Sequence, residues 1–342
     1  MGTIRLAMIG CGAVAEIFHL PTIAASDRVE LAALVEKSEA RLSQLANAHN
    51  PRFTASDHRD IVGKVDAAIV AVPNHLHARV TLDLLDKGIH VLVEKPMALR
   101  TTDCDAMIEA ATAADVVLAV GQMRRFIGAA QFVKNALDSN LLGDISRFDL
   151  REGAPYGWKV TSDAPFRADA GGGLLADIGI HVLDLLLWWL GDFEAVKYAD
   201  DALGGVEAEC EIDLTLKNGA GGIVELSRTR SLRNSYIISG ERGTLELATG
   251  PHPVVKLHLA DEQQPFAGYV AAADGAVDSK FKDLFPRQLD DFASAVLDGT
   301  TPLVPGEQAR KAVELVETCY ASRHTLHHPW VFPETRWQYE NP

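Results

Sequence analysis

The sequence is short of cysteine and of positive charge. Its 4 cysteines among 342 residues lie far apart and form no C-x-x-C pair, which argues against a zinc ribbon, a thioredoxin-like site and a disulfide framework. Lys and Arg number 32 against 47 Asp and Glu, so the formal net charge is −15. Because nucleic acids and anionic membrane surfaces require a positive footprint, neither is expected as a partner.

Long apolar runs are also missing from the sequence pattern. No stretch approaches the ~20 apolar residues of a membrane span, and the most apolar predicted helix, at 179–190, is interrupted by His181 and Asp184. The N-terminus enters a strand pattern almost at once, without the charged region, apolar core and cleavage site of a signal peptide. These absences predict a cytoplasmic protein, and 47% apolar residues predict a sizeable core.

The first part of the sequence alternates between strand and helix patterns. Strands are predicted at 4–9, 31–35, 65–72, 89–93 and 116–120, with helical patterns between them. Such alternation predicts βαβ units and a parallel sheet. We therefore expect a doubly wound α/β domain of Rossmann type over residues 1–122.

The pattern changes over residues 123–342. A connecting helix, a strand at 145–151 and a long loop at 153–173 precede a helix at about 174–190. Alternating strands then follow one another, with Asn218-Gly219 as a hairpin turn. Successive strands without intervening helices predict an α+β domain with a mostly antiparallel sheet, one face of which is available to a partner.

A glycine motif marks the first turn from strand to helix. In Gly10-x-Gly12-x-x-Ala15, the first glycine permits a tight turn and the second lets the backbone approach a pyrophosphate at the helix N-terminus. Glu36 follows the second strand roughly 20 residues later, where an acidic residue accepts hydrogen bonds from the adenosine ribose. The context predicts a dinucleotide site.

The charges beside this motif bear on the choice of cofactor. A carboxylate at Glu36 would repel a 2′-phosphate, which favours NAD over NADP. Lys37 and Arg41 follow closely, and either could reach a phosphate. The prediction is therefore NAD, with NADP possible.

The third strand ends in Pro73-Asn74-His75-x-His77. Loops at the carboxyl ends of parallel strands face the ligand crevice, so Asn74 could bind the ribose or the pyrophosphate. For His75 and His77, a direct cofactor role and a solvent-facing helix cap are equal alternatives. Two histidines without a third ligand nearby do not predict a metal.

The fourth strand ends in Glu94-Lys95-Pro96. A buried lysine is costly unless it is paired or has a task, and this position faces the nicotinamide side of the crevice. Pro96 restricts the chain after Lys95, and a cis bond there would aim the ammonium inward. Glu94 could pair with a basic group or orient the ribose.

The helix after Gly171-Gly172-Gly173 has a polar stripe on an otherwise apolar surface. Asp177, His181 and Asp184 are spaced i, i+4 and i+7, which predicts that one helix face carries all three. A satisfied core histidine is the alternative to a functional one. Lys95 and a dinucleotide site in the same chain favour the functional role.

Five segments carry these features in a specific order: GCGAVAEIFHLP, VPNHLHA, GIHVLVEKPMA, VGQMRRF and GGGLLADIGIHVLD. Together they resemble the Gfo/Idh/MocA oxidoreductases, which include glucose–fructose oxidoreductase and inositol dehydrogenase. The resemblance covers most of the chain. It implies a Rossmann domain followed by a domain with a large open sheet, which often forms the subunit interface.

The resemblance also implies roles for Lys95, Asp177 and His181 as the catalytic group. With an ordinary imidazole pKa of about 6.5, His181 suits a general base, and Lys95 would stabilise alkoxide charge on the substrate. Asp177 would bind the substrate or orient His181. Which of His181 and Lys95 takes the proton is left open by the sequence.

Further contacts are predicted with a surface or packing role as an equal alternative. Arg124 and Arg125 match an Arg-rich segment near the cofactor in the family, while Trp158 and Lys159 lie in the long loop and Arg167 precedes the glycine run. The predicted cofactor contacts are Gly10, Cys11, Gly12, Ala13, Val14, Glu36, Lys37, Pro73, Asn74, His77, Glu94, Lys95 and Arg125. The predicted substrate contacts are Lys95, Trp158, Arg167, Asp177 and His181.

The C-terminal region groups Cys319, His324, His327 and His328, but their spacing is irregular and predicts no metal site. The predicted function is an NAD(P)-dependent oxidoreductase acting on a secondary alcohol or ketone of a sugar, cyclitol or related polyol. The alternatives are an NAD-retaining glycosidase- or epimerase-like enzyme with transient oxidation, and a catalytically silent cofactor-binding regulator. The resemblance implies a homodimer or homotetramer assembled through the C-terminal sheet.

Overall fold

The first half of the chain forms a six-stranded parallel sheet. The computed structural model describes residues 2–157, 163–250, 253–262, 264–270, 277 and 281–326. The strands are β1 (Ile4–Ile9), β2 (Val29–Val35), β3 (Phe53–Ala55), β4 (Ala67–Val70), β5 (His90–Val93) and β6 (Leu118–Val120). They are ordered β3-β2-β1-β4-β5-β6, and all neighbours are parallel. The predicted doubly wound parallel sheet is confirmed; β3 is a short edge strand that the sequence pattern did not reveal.

Four helices cover this sheet. They are α1 (Leu20–Ala25), α2 (Glu39–His49), α3 (His77–Leu85) and α4 (Thr101–Ala114). A π-helical turn at Ala15–His19 leads from the glycine motif into α1. The order of strands reverses between β1 and β4, so a crevice opens at their carboxyl ends, where open α/β sheets bind ligands.

The second half of the chain forms a nine-stranded mixed sheet. The strands are β7 (Ile145–Gly153), β8 (Phe193–Asp200), β9 (Glu209–Leu216), β10 (Gly221–Ser227), β11 (Ser235–Gly240), β12 (Gly243–Ala248), β13 (Val254–Leu259), β14 (Phe266–Tyr269) and β15 (Arg323–Thr325). Their order is β14-β13-β12-β11-β7-β10-β9-β8-β15. The predicted large, mostly antiparallel sheet is confirmed.

The strand order of the second sheet is not sequential. The sequence pattern predicted a mostly antiparallel sheet without a strand order; β7 separates β10 from β11, running parallel to β10 and antiparallel to β11. The strands that follow β7 are thus added on both of its sides. Local patterning identifies each strand, whereas the position of β7 depends on contacts distant in sequence.

The second sheet is covered on one face by helices. The helices of this half are α5 (Gly128–Asp138), α6 (Ile180–Leu190), α7 (Leu284–Asp298) and α8 (Gly306–Ala321). Strand β9 shows the resulting alternation of buried apolar and exposed polar side chains. Its buried residues, each at most 1% exposed, are Cys210, Ile212, Leu214 and Leu216. On β9, the face opposite the helices is therefore polar.

The last helices return to the first sheet. Phe292 of α7 lies in one apolar cluster with Leu6 and Met8 of β1, and the Val120 amide of β6 donates a hydrogen bond to the Val304 carbonyl at 3.0 Å. The two halves of the chain therefore share packed contacts.

The segment Ala168–Leu190 passes the length and composition test for a membrane span, contrary to the prediction that no apolar stretch does so. However, 83% of its most apolar window is buried inside the protein. This burial is what a core helix of a water-soluble fold shows, because α6 packs between α5, α8 and the second sheet.

Candidate active site

The glycine turn after β1 leaves room for a ligand on one side only. Gly10 has φ +87°, and a β-carbon there would lie 2.3 Å from the Ala71 carbonyl oxygen, so only glycine fits. A β-carbon on Gly12 would meet nothing within 4 Å. The turn is therefore packed against β4 at Gly10 and open towards the crevice at Gly12, as approach of a pyrophosphate requires.

Two charged side chains attach to this turn. Glu36, at the end of β2, accepts hydrogen bonds from the Cys11 and Ser38 amides, each at 2.9 Å. Arg41 donates from Nε to the Cys11 carbonyl at 2.8 Å and from Nη2 to the Glu16 carboxylate at 2.9 Å. The predicted cofactor contacts Ala13, Val14 and Lys37 lie beside these groups in sequence. A carboxylate at the end of the second strand is the group that binds the adenosine ribose in dinucleotide sites of this topology.

The loop after β4 is held by a buried histidine. His77 is 1% exposed, and its ring nitrogens bond to the carbonyls of Pro96 at 2.7 Å and Val72 at 2.9 Å. The solvent-facing cap predicted for His77 is therefore wrong, and both ring nitrogens, which were predicted to reach the cofactor, are bonded to carbonyls inside the protein. Asn74 lies nearer the crevice, where its Nδ2 donates to the Gly171 carbonyl at 2.9 Å, while Pro73 is exposed.

Glu94 pairs with a residue that the sequence reasoning missed. Its Oε1 lies 2.8 Å from His19 Nε2, and its Oε2 accepts a hydrogen bond from the Lys95 amide at 3.1 Å. Burial would raise the pKa of the Glu94 carboxyl, but the hydrogen bond from His19 holds it below its usual value. The position of His19, four residues after Ala15 on the same helical turn, was the only signal for this contact.

Lys95 and Asp177 meet across the two halves of the chain. Lys95 Nζ lies 2.6 Å from Asp177 Oδ1 and 2.9 Å from the Asp177 carbonyl oxygen. The Lys95–Pro96 bond is cis. The ammonium is 18% exposed and the carboxylate 43% exposed, so the pair borders the crevice rather than the core.

A second cation contacts the same carboxylate. Arg228, directly after β10, donates from Nη2 to Asp177 Oδ2, and its guanidinium lies 5.0 Å from the centre of the Tyr156 ring. Burial would raise the pKa of Asp177, but the charges of Lys95 and Arg228 hold it below its usual value. Neither Arg228 nor Tyr156 was predicted, since no local motif marks a residue that follows a strand of the second sheet.

His181 lies one helical turn beyond Asp177. It is 6% exposed, and its Nδ1 has no hydrogen-bond partner among the described residues. Burial, assisted by the positive charges of Lys95 and Arg124, lowers the pKa of this imidazole well below its ordinary value. A neutral imidazole beside an ammonium is chemically able to accept a proton from a hydroxyl group.

Asp184 does not belong to this site. Its carboxylate is 1% exposed and binds Arg125 with two hydrogen bonds, from Nε at 2.8 Å and from Nη2 at 2.7 Å. The Arg125 guanidinium, which was predicted to contact the cofactor, is 2% exposed and bound to Asp184 in the core. The expected stripe of three site residues is reduced to Asp177 and His181.

Arg124 forms a second buried ion pair near the site, with Glu152. Its Nη1 and Nη2 bind both oxygens of Glu152 at 2.6 and 2.8 Å, and Nη1 also donates to the Tyr236 hydroxyl at 3.0 Å. Glu152 and Tyr236 belong to neighbouring strands β7 and β11. The second sheet thus holds a positive charge close enough to His181 to affect its titration.

Glu207 supports the start of the helix that carries Asp177 and His181. It is 2% exposed, and its Oε1 accepts hydrogen bonds from the Leu175 amide and the Tyr320 hydroxyl, each at 2.8 Å. A β-carbon on Gly173, where φ is +121°, would lie 2.6 Å from this carboxylate. Gly173 is therefore a position where the backbone packs closely against Glu207.

The remaining predicted residues are less informative. Arg167 pairs with Asp163 and Asp169 at the surface and is about half exposed. Trp158 and Lys159 lie outside the described residues, as do His327 and His328. Within the described part of the chain, no group of three His, Cys, Asp or Glu side chains converges as metal ligands.

The lowered pKa of His181 has a kinetic consequence. If neutral His181 accepts the proton during alcohol oxidation, kcat/KM should stay high as the pH falls through about 6.5, the ordinary imidazole value, and decline only at more acidic pH. Initial rates of nicotinamide reduction across the acid range would measure this. An acid limb with its midpoint at or above the ordinary value would exclude His181 as the base.

The chain matches two profiles of one oxidoreductase family. The profile of its NAD-binding Rossmann fold matches residues 4–122, and that of its C-terminal alpha/beta domain matches residues 134–331. The two matches correspond to the two sheets described above.

Characterised relatives extend the similarity over most of the chain. Myo-inositol 2-dehydrogenase of Thermotoga maritima is 25% identical, over 94% of this chain and 96% of that protein. The rhizopine catabolism protein MocA of Rhizobium meliloti is 28% identical, over 67% of this chain and 72% of that protein. The crystal structure of aldose-aldose oxidoreductase from Caulobacter crescentus, complexed with glycerol, superposes with a TM-score of 0.82 at 27% identity, over 94% of this chain and 97% of that one. Because the family profiles match both halves and the second alone spans more than half of the sequence, the chain belongs to the Gfo/Idh/MocA family of oxidoreductases.

Proposed function

We propose that this protein is an NAD(P)-dependent oxidoreductase that transfers hydride between the nicotinamide and a secondary alcohol or ketone of a sugar, cyclitol or related polyol. The observation that carries the proposal is the contact of Lys95 with Asp177, one helical turn from the buried imidazole of His181, at the crevice edge of the parallel sheet. An ammonium, a carboxylate and a neutral imidazole at a dinucleotide crevice are the groups that alcohol oxidation needs.

Each group has a task in the oxidation direction. His181 takes the hydroxyl proton, because its lowered pKa keeps the ring neutral and its Nδ1 has no partner among the described residues. Lys95 donates a hydrogen bond to the same oxygen and stabilises the negative charge that develops there. Asp177 holds the Lys95 ammonium in position. Bound NAD(P) supplies the hydride acceptor, and in the reverse direction the donor.

The names of the relatives support the substrate class. Myo-inositol 2-dehydrogenase acts on a cyclitol, and the aldose-aldose oxidoreductase on sugars. A levoglucosan dehydrogenase from Pseudarthrobacter phenanthrenivorans is 27% identical over 68% of each chain. These names favour net oxidation or reduction over the glycosidase-like and regulatory alternatives.

The first test is a substrate screen with the purified protein. Sugars, inositols and sugar acids are incubated with NAD or NADP, and the absorbance of the reduced nicotinamide is followed. Steady accumulation of reduced cofactor with at least one compound is expected. Release of product without accumulation would instead favour an enzyme that retains its cofactor, and binding without any turnover would favour the regulator.

Glu36 provides a test of the cofactor preference. We propose NAD as the preferred cofactor, since Glu36 lies at the ribose end of the crevice. Glu36→Ala should weaken NAD binding about 10-fold or more, the loss of a charge-assisted hydrogen bond, and should leave NADP binding equal or stronger. Titration of protein fluorescence with each cofactor measures both constants. Equal weakening of the two would refute the ribose assignment, and Glu39→Ala, at an exposed position on α2, serves as the control.

The organisation of the chain is proposed on separate grounds. We propose that residues 1–122 bind the cofactor and that residues 123–342 bind the substrate and form a homodimer or homotetramer through the helix-free face of the second sheet. The four cysteines are buried and unpaired, which supports a reducing, cytoplasmic location. Light scattering of the purified protein would measure its oligomeric state, and a monomer would refute the sheet interface.

A further inference from the structure

Three arginines are buried among the described residues, and two of them have a carboxylate of their own. Arg124 binds both oxygens of Glu152, and Arg125 binds both oxygens of Asp184. The paired, two-bond geometry of these contacts matches the planar fork of the guanidinium. Each of these charges is therefore balanced inside the protein.

Arg228 is the exception. It is 7% exposed, and its single side-chain hydrogen bond to the described residues runs from Nη2 to Asp177. Asp177 already binds Lys95 through its other oxygen. Nε of Arg228 is buried and, like Nε of Arg124, has no hydrogen-bond partner among the described residues. Lys95 and Arg228 thus share the Asp177 carboxylate, and part of the Arg228 guanidinium forms no hydrogen bond to a described residue.

Among the described residues, Asp177 is the one carboxylate that forms an ion pair with Arg228. Glu152 is committed to Arg124, and Glu94 faces His19 on the cofactor side. The Tyr156 ring lies 5.0 Å from the Arg228 guanidinium and limits its movement without neutralising it. A buried charge without a full partner is costly, and the Arg228 fork lies beside the Lys95–Asp177 pair, where the substrate is proposed to bind.

We propose that the substrate carries a carboxylate, as in a uronic or aldonic acid, and that Arg228 binds it. The inference rests on the proposed function and narrows its substrate class. The carboxylate would occupy the unused part of the guanidinium fork, while the carbinol to be oxidised lies at Lys95 and His181. A neutral sugar would leave Arg228 without this anion and should be a poorer substrate.

Matched pairs of sugars test the proposal with the whole enzyme. D-Glucuronate is compared with D-glucose, and D-galacturonate with D-galactose, in buffers of equal ionic strength. A charge-assisted hydrogen bond to a buried guanidinium should raise kcat/KM for the acid by about 10- to 100-fold over the neutral sugar. Equal or higher kcat/KM for the neutral sugars would overturn the inference while leaving the proposed function intact.

Variants assign the preference to one residue. Arg228→Met should reduce the acid-to-neutral ratio to about 1 while reduced cofactor still binds, and Arg228→Lys should restore part of the ratio. Arg230→Gln is the matched control, because Arg230 lies in the same loop and pairs with Glu225 and Glu209. An unchanged ratio in Arg228→Met, or an equal fall in Arg230→Gln, would overturn the assignment.

A binding measurement keeps the test independent of turnover. With NAD present, D-glucuronate or D-galacturonate should raise the thermal midpoint of the wild type more than the neutral sugar or sodium acetate does, and should fail to do so in Arg228→Met. Protection that is equal for acid and neutral sugars would overturn the inference. If no sugar is oxidised, yet uronates protect through Arg228, the proposed function fails and the acid site stands.

Discussion

Lys95→Met is expected to lower kcat by about 10²- to 10³-fold, the effect of removing a preorganised donor from a developing oxyanion. Methionine keeps much of the volume of lysine but cannot donate a hydrogen bond. The Lys95 ammonium is held by two oxygens of Asp177, at 2.6 and 2.9 Å, so its position is set before the substrate arrives. His181→Ala should lower kcat by about 10²- to 10⁴-fold, the range for loss of a general base.

The same variants should leave cofactor binding nearly unchanged. The groups that surround the glycine turn, Glu36 and Arg41, make no contact with Lys95 or His181. Fluorescence titration with reduced cofactor measures this, and Lys87→Met, at an exposed position, is the control for removing a lysine. Near-normal turnover in either Lys95→Met or His181→Ala would remove that residue from the mechanism.

Asp184→Ala is expected to destabilise the protein by about 3–5 kcal/mol, the cost of leaving one member of a buried ion pair without its partner. Arg125 and Asp184 are 2% and 1% exposed, and burial raises the pKa of the Asp184 carboxyl despite the attraction of Arg125. The variant would leave a guanidinium in the core whose remaining hydrogen bonds go to Gln308 and to the Leu303 carbonyl. Urea unfolding followed by circular dichroism measures the change.

Two control variants separate the effect of burying a charge from the effect of removing a carboxylate. Asp138→Ala removes a carboxylate that is 58% exposed and paired with Lys134 on α5, and should change the free energy of unfolding by less than about 1 kcal/mol. The double variant Arg125→Met with Asp184→Leu should recover much of the lost stability, because an apolar pair leaves no unpaired charge. A single Asp184→Ala variant as stable as Asp138→Ala would contradict the importance of this pair.

Features governed by neighbours in sequence were predicted well. The glycine turn, the Glu-Lys-Pro end of β5 and the alternation of β9 depend on residues a few positions apart, where backbone conformation and side-chain period are set locally. The catalytic role predicted for Asp177 and His181 came from the family resemblance, since their spacing alone leaves open whether a helix face is buried or reactive.

Features governed by long-range packing were missed or wrong. His77 has the position of a ligand contact, yet it bonds to Val72 and Pro96 inside the protein. Arg125 follows β6, at a carboxyl end of the parallel sheet where ligand contacts are expected. Its side chain nevertheless packs into the core, because it binds Asp184 there. In each case the side chain is held by a partner that the neighbouring sequence does not identify.

By itself, the sequence determined the parallel sheet, the dinucleotide turn and the presence of a lysine and a histidine suited to hydride-transfer chemistry, because periodicity and turn geometry are local properties. Only the tertiary structure decided which polar residues share the site. It separated Asp184 and Arg125 from Asp177 and His181, placed β7 between β10 and β11, and brought Arg228 to the carboxylate that Lys95 already holds. The physical reason is that the burial of a charge depends on its partners in space, and those partners come from strands and helices far apart in the chain.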